Sequence, residues 1–359
     1  MRRLIFTFVL FLSFSFFNCS TKDGAGNQVV YISDENVPCQ LLDYEKVIMP
    51  DSMLFAASNF RVCHDSILLV MHEAYPDPYY LSVVNLNNFE VINELFHRGN
   101  GPNEVLGLNM YVNDEYLYFN HYVKRSVARV PIDSVVSPDF KYPEFVSVDA
   151  FYNGYGWLSD TLIAVTNCLY FNDYGLDKNT SEVFYLDTAG AFVDKYQQLK
   201  DGVFAANFSG GCIIANPETG NFYFAKSFSP EIRLYENRNL KTIYSGPDTY
   251  KSEYVVDESN YLHFKNNYNY YYFVGCSSRN YVFFANERSH GPVDSPDISF
   301  DNGEIIRLDW DGNVVARYKL KEHHKQVEAL SYCEESHLLY VSTFDEDDER
   351  VLYKVHLSD

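Results

Sequence analysis

Runs of four apolar residues, each set off by turn residues, recur six times along this chain of 359 residues. They are Ile67-Leu68-Leu69-Val70, Tyr116-Leu117-Tyr118-Phe119, Leu162-Ile163-Ala164-Val165, Phe222-Tyr223-Phe224-Ala225, Tyr281-Val282-Phe283-Phe284 and Leu338-Leu339-Tyr340-Val341. Such runs are short, β-branched or aromatic, and apolar at every position, which predicts strands covered on both faces. Each follows turn chemistry: His64-Asp65-Ser66, Asn113-Asp114, Ser159-Asp160, Pro217 to Gly220, Ser277 to Asn280 and Glu334 to Ser336. Their starts lie 49, 46, 60, 59 and 57 residues apart, too far for one hairpin and about right for four strands with loops.

After most of these core hairpins a second one follows, with turns at Asn87-Asn88, Asp187-Thr188-Ala189-Gly190, Asn237-Arg238-Asn239 and Asp309 to Asn313. A sheet that is apolar on both faces is satisfied when its neighbours sandwich it, so six units predict an all-β, six-bladed β-propeller. The sixth unit is short by one strand, because only Val351 to Leu357 remains after Leu338 to Thr343. The strand-like segment Gln40 to Ile48 is predicted to supply it, so that an N-terminal strand closes the last blade and leaves no open edge. Helical periodicity is nearly absent, and the 31 tyrosines and 28 phenylalanines suit strands.

The first residues follow another rule. Arg2 and Arg3 precede an uncharged stretch from Leu4 to Phe17, the basic and apolar regions of an export signal. Its 14 residues fall short of the roughly 20 that span a bilayer. Phe16-Phe17-Asn18-Cys19 resembles a lipobox, with Cys19 as the lipidated first residue of the mature chain. The expected organisation is a signal peptide over 1–18, a flexible tether over 19–36 and the propeller over 37–359. The expected address is the cell envelope, lipid-anchored at the outer membrane, with the periplasmic and surface sides both open.

Charge narrows the partners. The net charge of −21 becomes −23 when residues 1–18 leave with two arginines, which argues against nucleic acid and against anionic lipid headgroups as partners. Beyond Cys19 the cysteines are Cys39, Cys63, Cys168, Cys212, Cys276 and Cys333, with no C-x-x-C pair. Buried thiols are the preferred reading, and Cys63 with Cys333 or Cys168 with Cys212 are the pairs that bridges would use.

His97-Arg98-Gly99-Asn100-Gly101-Pro102-Asn103-Glu104 stands between the first and second blades. It is similar to the G-x-G-P-G-E-F turn of TolB-like six-bladed propeller lipoproteins from Bacteroidetes, with Asn103 in place of a glycine and Val105 in place of a phenylalanine. The resemblance implies an envelope propeller and brings no catalytic residues with it. Physically, Gly99 and Gly101 permit positive φ and Pro102 stiffens the turn. No Lys-Ser/Thr follows, so the loop lacks the makings of a phosphate cradle.

In a propeller the loops joining second to third strands converge on one face with the blade-to-blade loops, and ligands commonly bind there. The repeat therefore selects His72, Glu73, Asn120, His121, Asn167, Lys226, Asn286, Glu287, Arg288, His290 and Asp345 to Glu349, with His97 and Arg98 joining from the inter-blade loop. No metal site is assigned, although His72, His121 and His290 could meet at the axis. Calcium is the one cofactor considered. Two functions compete. The preferred one is a non-enzymatic binding or scaffold module for a protein, peptide or glycan. The other is a calcium-dependent lactonase-like hydrolase that would use Glu73, Asn120, Asn167, Asn286 and Asp345; no G-x-S-x-G elbow points to a serine hydrolase. A channel with converging carboxylates would favour the enzyme, and an apolar or water-filled one the scaffold.

Overall fold

A computed structural model describes residues 20–54, 57–72, 78–101, 104–113, 115–121, 123–148, 154–166, 181–198, 211–226, 229–245, 254–256, 262–264, 268–291, 299–300, 304–323 and 325–358. Six antiparallel sheets stand around a common axis as a six-bladed β-propeller, as the repeat predicts. Blade one is Ala57–Cys63, Ile67–His72, Tyr79–Asn85 and Val91–His97. Blade two is Asn109–Val112, Tyr116–His121, Ser126–Pro131 and Val146–Ser147. Blade three is Tyr155–Ser159, Leu162–Thr166, Ser181–Asp187 and Phe192–Gln198. Blade four is Gly211–Ala215, Phe222–Lys226, Glu231–Glu236 and Asn239–Ser245. Blade five is Tyr268–Ser277, Tyr281–Gly291, Glu304–Asp309 and Val314–Leu320. Blade six takes Ala329–Cys333, Leu338–Phe344 and Arg350–His356 from the C-terminus and Glu45–Lys46 from the N-terminus.

Every apolar run is the second strand of its blade, and each is buried on both sides. Aromatic rings carry the packing between blades: Phe96 on Phe119, Tyr111 on Tyr155, Tyr185 on Phe222, Tyr223 on Phe284 and Phe283 on Tyr332, with ring centroids 4.4 to 6.4 Å apart. Such contacts add to area burial through edge and offset geometry. Blade two departs from the repeat. A four-residue helix, Ile132–Val135, replaces its outer hairpin turn, and Phe140, Tyr142 and Phe145 pack beside it on the cluster shared with blade one.

The N-terminal segment does more than close the ring. Ser20–Lys22 and Gln28–Tyr31, expected within a flexible tether, form a hairpin, and Gln28–Tyr31 lies parallel to the outer strand of blade four. The cause is inward alternation: Val30 and Ile32, each 2% exposed, enter the core between blades four and five. The Asp23 carboxylate holds the turn by accepting the amides of Ala25 at 2.9 Å and Asn27 at 2.8 Å. Cys39–Leu42 then runs parallel to the outer strand of blade five. Glu45 and Lys46 pair with blade six, opposite Lys354 and Tyr353, and the Val47 amide donates to the Leu352 carbonyl of the same strand at 2.9 Å. The predicted closing segment Gln40 to Ile48 is therefore divided, its first part added to blade five and its middle closing blade six. Leu42 and Tyr44 set this division, because both pack on the cluster shared by those two blades.

Candidate functional site

Two faces follow from the strand directions. The loop face carries the connections from second to third strands and from blade to blade; the turn face carries the tight turns from first to second and from third to fourth strands.

On the loop face, candidates from blades one and two meet and bind one another. His72 Nε2 shares a hydrogen bond with Ser82 Oγ at 2.9 Å. Its carbonyl accepts from the Arg98 guanidinium, which stacks over the Tyr80 ring 3.7 Å from the centroid. The inter-blade loop is cross-braced by Glu104, whose carboxylate accepts the Gly101 amide at 2.6 Å and lies 3.5 Å from His97 Nδ1. Gly99 has φ +153°, and a Cβ there would stand 2.0 Å from Glu104 Oε2, so this position requires glycine. Arg98 and Val105 form an isolated bridge that fixes the chain as it climbs to blade two.

His121 is buried beneath the same loop, and the amides of Leu106 and Lys124 point at its two ring nitrogens at 3.3 and 3.1 Å. A neutral ring accepts at one nitrogen, whereas an imidazolium accepts at neither. Burial and the nearby Lys124 accordingly hold its pKa below the ordinary value. These residues stiffen a joint between blades.

The other candidates disperse. Lys226 ends the second strand of blade four opposite Gly211 and is half-buried. Asn286 and Arg288 lie on the second strand of blade five, opposite Phe273 and Tyr271, and His290 lies opposite Asn269. Asn120 is buried in blade two. Asp345 is committed to its own turn: Oδ1 accepts the amides of Asp347 and Glu349, and Oδ2 accepts from Lys46 Nζ at 2.9 Å. Those bonds hold its carboxyl below the ordinary range. Glu73, Asn167, Cys168 and Cys19 lie outside the described residues. Among the described residues no three His, Cys, Asp or Glu side chains are placed to share a metal ion.

Among the described residues, the channel holds the Arg61 guanidinium with tyrosine side chains near it. Arg61, on the inner strand of blade one, donates from Nη1 to the Leu330 carbonyl of blade six at 3.2 Å and from Nη2 to the Met110 carbonyl of blade two at 3.1 Å. Inner strands present an unpaired backbone edge to the axis, and the guanidinium satisfies it in place of a ligand. Tyr111, Tyr155 and Cys212 lie around it; burial raises all three pKa values, that of Cys212 to about 12, while the Arg61 charge works in the opposite direction on Tyr155 and Cys212. A guanidinium here repels a divalent cation. The inner strands of blades two and five approach within 8 Å, Cα to Cα, across the ring. Cys39, Cys63, Cys212, Cys276 and Cys333 carry thiols, not bridges.

The turn face holds a cleft that the sequence reading missed. Turns from blades two, four and five converge on a cavity of about 50 Å³ lined by Asn113, Glu115, Asn216, Glu218, Ser278, Arg279 and Trp310, among others. One device builds all three first turns. Asn113 Oδ1 accepts the amides of Glu115 and Tyr116 at 2.9 and 2.7 Å. Asn216 Oδ1 accepts those of Glu218 and Thr219 at 2.9 and 3.3 Å, and Ser278 Oγ accepts that of Tyr281 at 3.2 Å. Trp310 enters from the outer turn of blade five. Its Nε1–H donates to the Ser278 carbonyl at 3.3 Å, and Tyr223 supports the ring at a centroid distance of 5.7 Å. Blades two and five are not neighbours, so a cavity touching both spans the mouth of the channel. The only sequence signal was the repeated turn polarity, which every propeller turn shares.

No family model matches the chain, and no curated protein matches it. Solved structures do. A putative exported protein from Bacteroides fragilis is similar with a TM-score of 0.54 at 13% identity, over 89% of this chain and 95% of that one. A member of the DUF4221 family from Bacteroides vulgatus gives 0.47 at 12% identity, over 84% and 92%. The first likeness shows a shared propeller fold.

Proposed function

We propose that this chain is a non-enzymatic binding module of the bacterial envelope, anchored by lipid on Cys19, that holds a glycan at its turn-face cleft. The carrying observation is the convergence of three turns on one cavity beside a supported tryptophan. An indole offers an apolar plane to the C–H face of a sugar ring, and the surrounding amides, carboxylates and guanidinium offer hydroxyl partners. A cavity of about 50 Å³ admits a few water-sized groups, which fits a hydroxymethyl or acetamido substituent with the ring stacked outside. The arginine in the channel speaks against the calcium hydrolase, whose ion would sit there. An exported description for the similar Bacteroides fragilis protein agrees with the signal at residues 1–18.

The test is a glycan array probed with the soluble mature domain and with Trp310→Ala. Selective binding by the wild type that the variant loses supports the reading. Equal binding by both, or none by either, overturns it.

A further inference from the structure

The N-terminal hairpin fixes where a lipid on Cys19 would emerge. Ser20 pairs with Val30, which pairs in turn with Tyr244 on the outer strand of blade four. That strand runs from the turn face to the loop face and ends at Ser245, one residue on. Ser20 therefore stands at the loop-face end of the blade four rim. Cys19 is its direct neighbour in sequence, and consecutive Cα atoms lie about 3.8 Å apart. Residues 20–31, expected to be slack, are strand and turn, so nothing separates the anchor from the folded body.

Blade five, the next blade round, rises on the same side. Its inner ladder pairs with the third strand as far as Asn286, opposite Glu304. The pairing of the first two strands continues through Tyr272 with Glu287, Tyr271 with Arg288, Tyr270 with Ser289, Asn269 with His290 and Tyr268 with Gly291. Ser299–Phe300 adds a third strand along Ser289 and His290. Five further pairs at about 3.3 Å each carry this ribbon roughly 17 Å past the blade. Four of its five added positions on the first strand are tyrosine, and Phe273 follows. Glu287 and Arg288 are the only Asp, Glu, Lys or Arg residues on the two strands, in a protein that is otherwise strongly acidic. Tyrosine favours the headgroup region of a bilayer, where an apolar ring and a polar tip are both satisfied.

We infer that the loop face is the membrane side of the molecule, with the tyrosine ribbon of blade five inserted in the headgroup interface beside the anchor and the turn-face cleft directed away. The inference rests on lipidation at Cys19, taken from the proposed function. Single-point attachment by one lipidated residue leaves a tethered body free to tumble; a second contact one blade away removes that freedom.

The test uses full-length lipidated protein reconstituted into vesicles with brominated lipids, read by tryptophan fluorescence. Wild type reports on Trp157, buried between blades two and three, and on Trp310 at the turn face. Tyr270→Trp and Tyr271→Trp each add one reporter on the ribbon. The expected result is added emission that is blue-shifted and lost to bromine in one or both variants, with little loss in wild type. If wild type floats with vesicles but neither variant is quenched, or Trp310 is quenched instead, the orientation is overturned while anchoring stands. If wild type and Cys19→Ala both fail to float, anchoring itself fails. Circular dichroism of each variant establishes that it is folded.

Discussion

The amide of Phe60 donates to the hydroxyl of Ser342 at 3.1 Å, across the seam where the last blade meets the first. Two residues on, Val62 donates to Ser331 Oγ at 3.0 Å, and the Asp65 amide reaches Cys333 Sγ at 3.4 Å. At the other blade interfaces aromatic rings meet, while here side chains of blade six complete the hydrogen bonding of an inner strand from blade one. Ser342→Ala leaves a buried amide without an acceptor. It should lower stability by about 1–3 kcal/mol, as should Ser331→Ala, measured by denaturant unfolding. Changes within a few tenths for both would show that the seam is held by packing alone.

Tyr111 and Tyr155 make the opposite case. Both hydroxyls are buried and find no hydrogen-bond partner among the described residues, while their rings pack 5.5 Å apart. Tyr155→Phe and Tyr111→Phe keep the rings and remove an unsatisfied polar atom. Each should be neutral or stabilising by about 1 kcal/mol. A marked loss in Tm would mean that a hydroxyl has a function in the channel.

Alkali should unfold the protein. Burial raises Tyr111, Tyr118, Tyr155, Tyr223 and Tyr244 above the ordinary 10.0, and Cys212 from 9.0 to about 12. The folded state therefore keeps protons that the unfolded state releases. The stability this supplies is complete below pH 9 and falls as the pH climbs through 10 and beyond. Tyrosinate absorbance and far-ultraviolet circular dichroism should change together in that window. Exposed tyrosines ionise there as well, so it is complete tyrosinate formation with the strands intact that would contradict the burial of these hydroxyls.

The repeat was legible because both faces of each second strand are covered, which leaves an unbroken apolar run such as Leu162 to Val165. What stayed hidden depends on backbone pairing or on convergence. The hairpin of Ser20–Lys22 with Gln28–Tyr31 lies outside the six-fold repeat, and its apolar run Val29 to Ile32 does not say which blade it joins, because the parallel pairing to blade four is made by amides and carbonyls. Position in the repeat led to His72, Arg98 and His121, but it could not tell a ligand contact from a joint between blades. The cleft joins Asn113, Asn216 and Trp310, which are about 100 residues apart in sequence and ordinary as turn residues.

The N-terminal segment should open first, and Arg317 should decide when. Its side chain is 2% exposed on the outer strand of blade five. Nη2 donates to Glu304 Oε1 and Oε2 at 2.8 and 2.7 Å, while Nη1 reaches Asp34 Oδ1 at 2.9 Å and the Val37 carbonyl at 2.8 Å. One planar fork thus ties the blade to the link between two added edge strands. Lysine, a point charge with rotating donors, cannot serve all three partners at once. Removing one member of a fully buried pair costs about 3–5 kcal/mol. Asp34 is 82% exposed and Glu304 22%, so solvent takes up part of that loss, and Arg317→Met should cost about 2 kcal/mol. Arg317→Lys should recover only part of it. Hydrogen exchange should show residues 32–44 losing protection in both variants while the apolar second strands keep theirs. Uniform loss across all six blades would instead make Arg317 a determinant of the whole ring, and the added strands would then unfold with the propeller, not ahead of it.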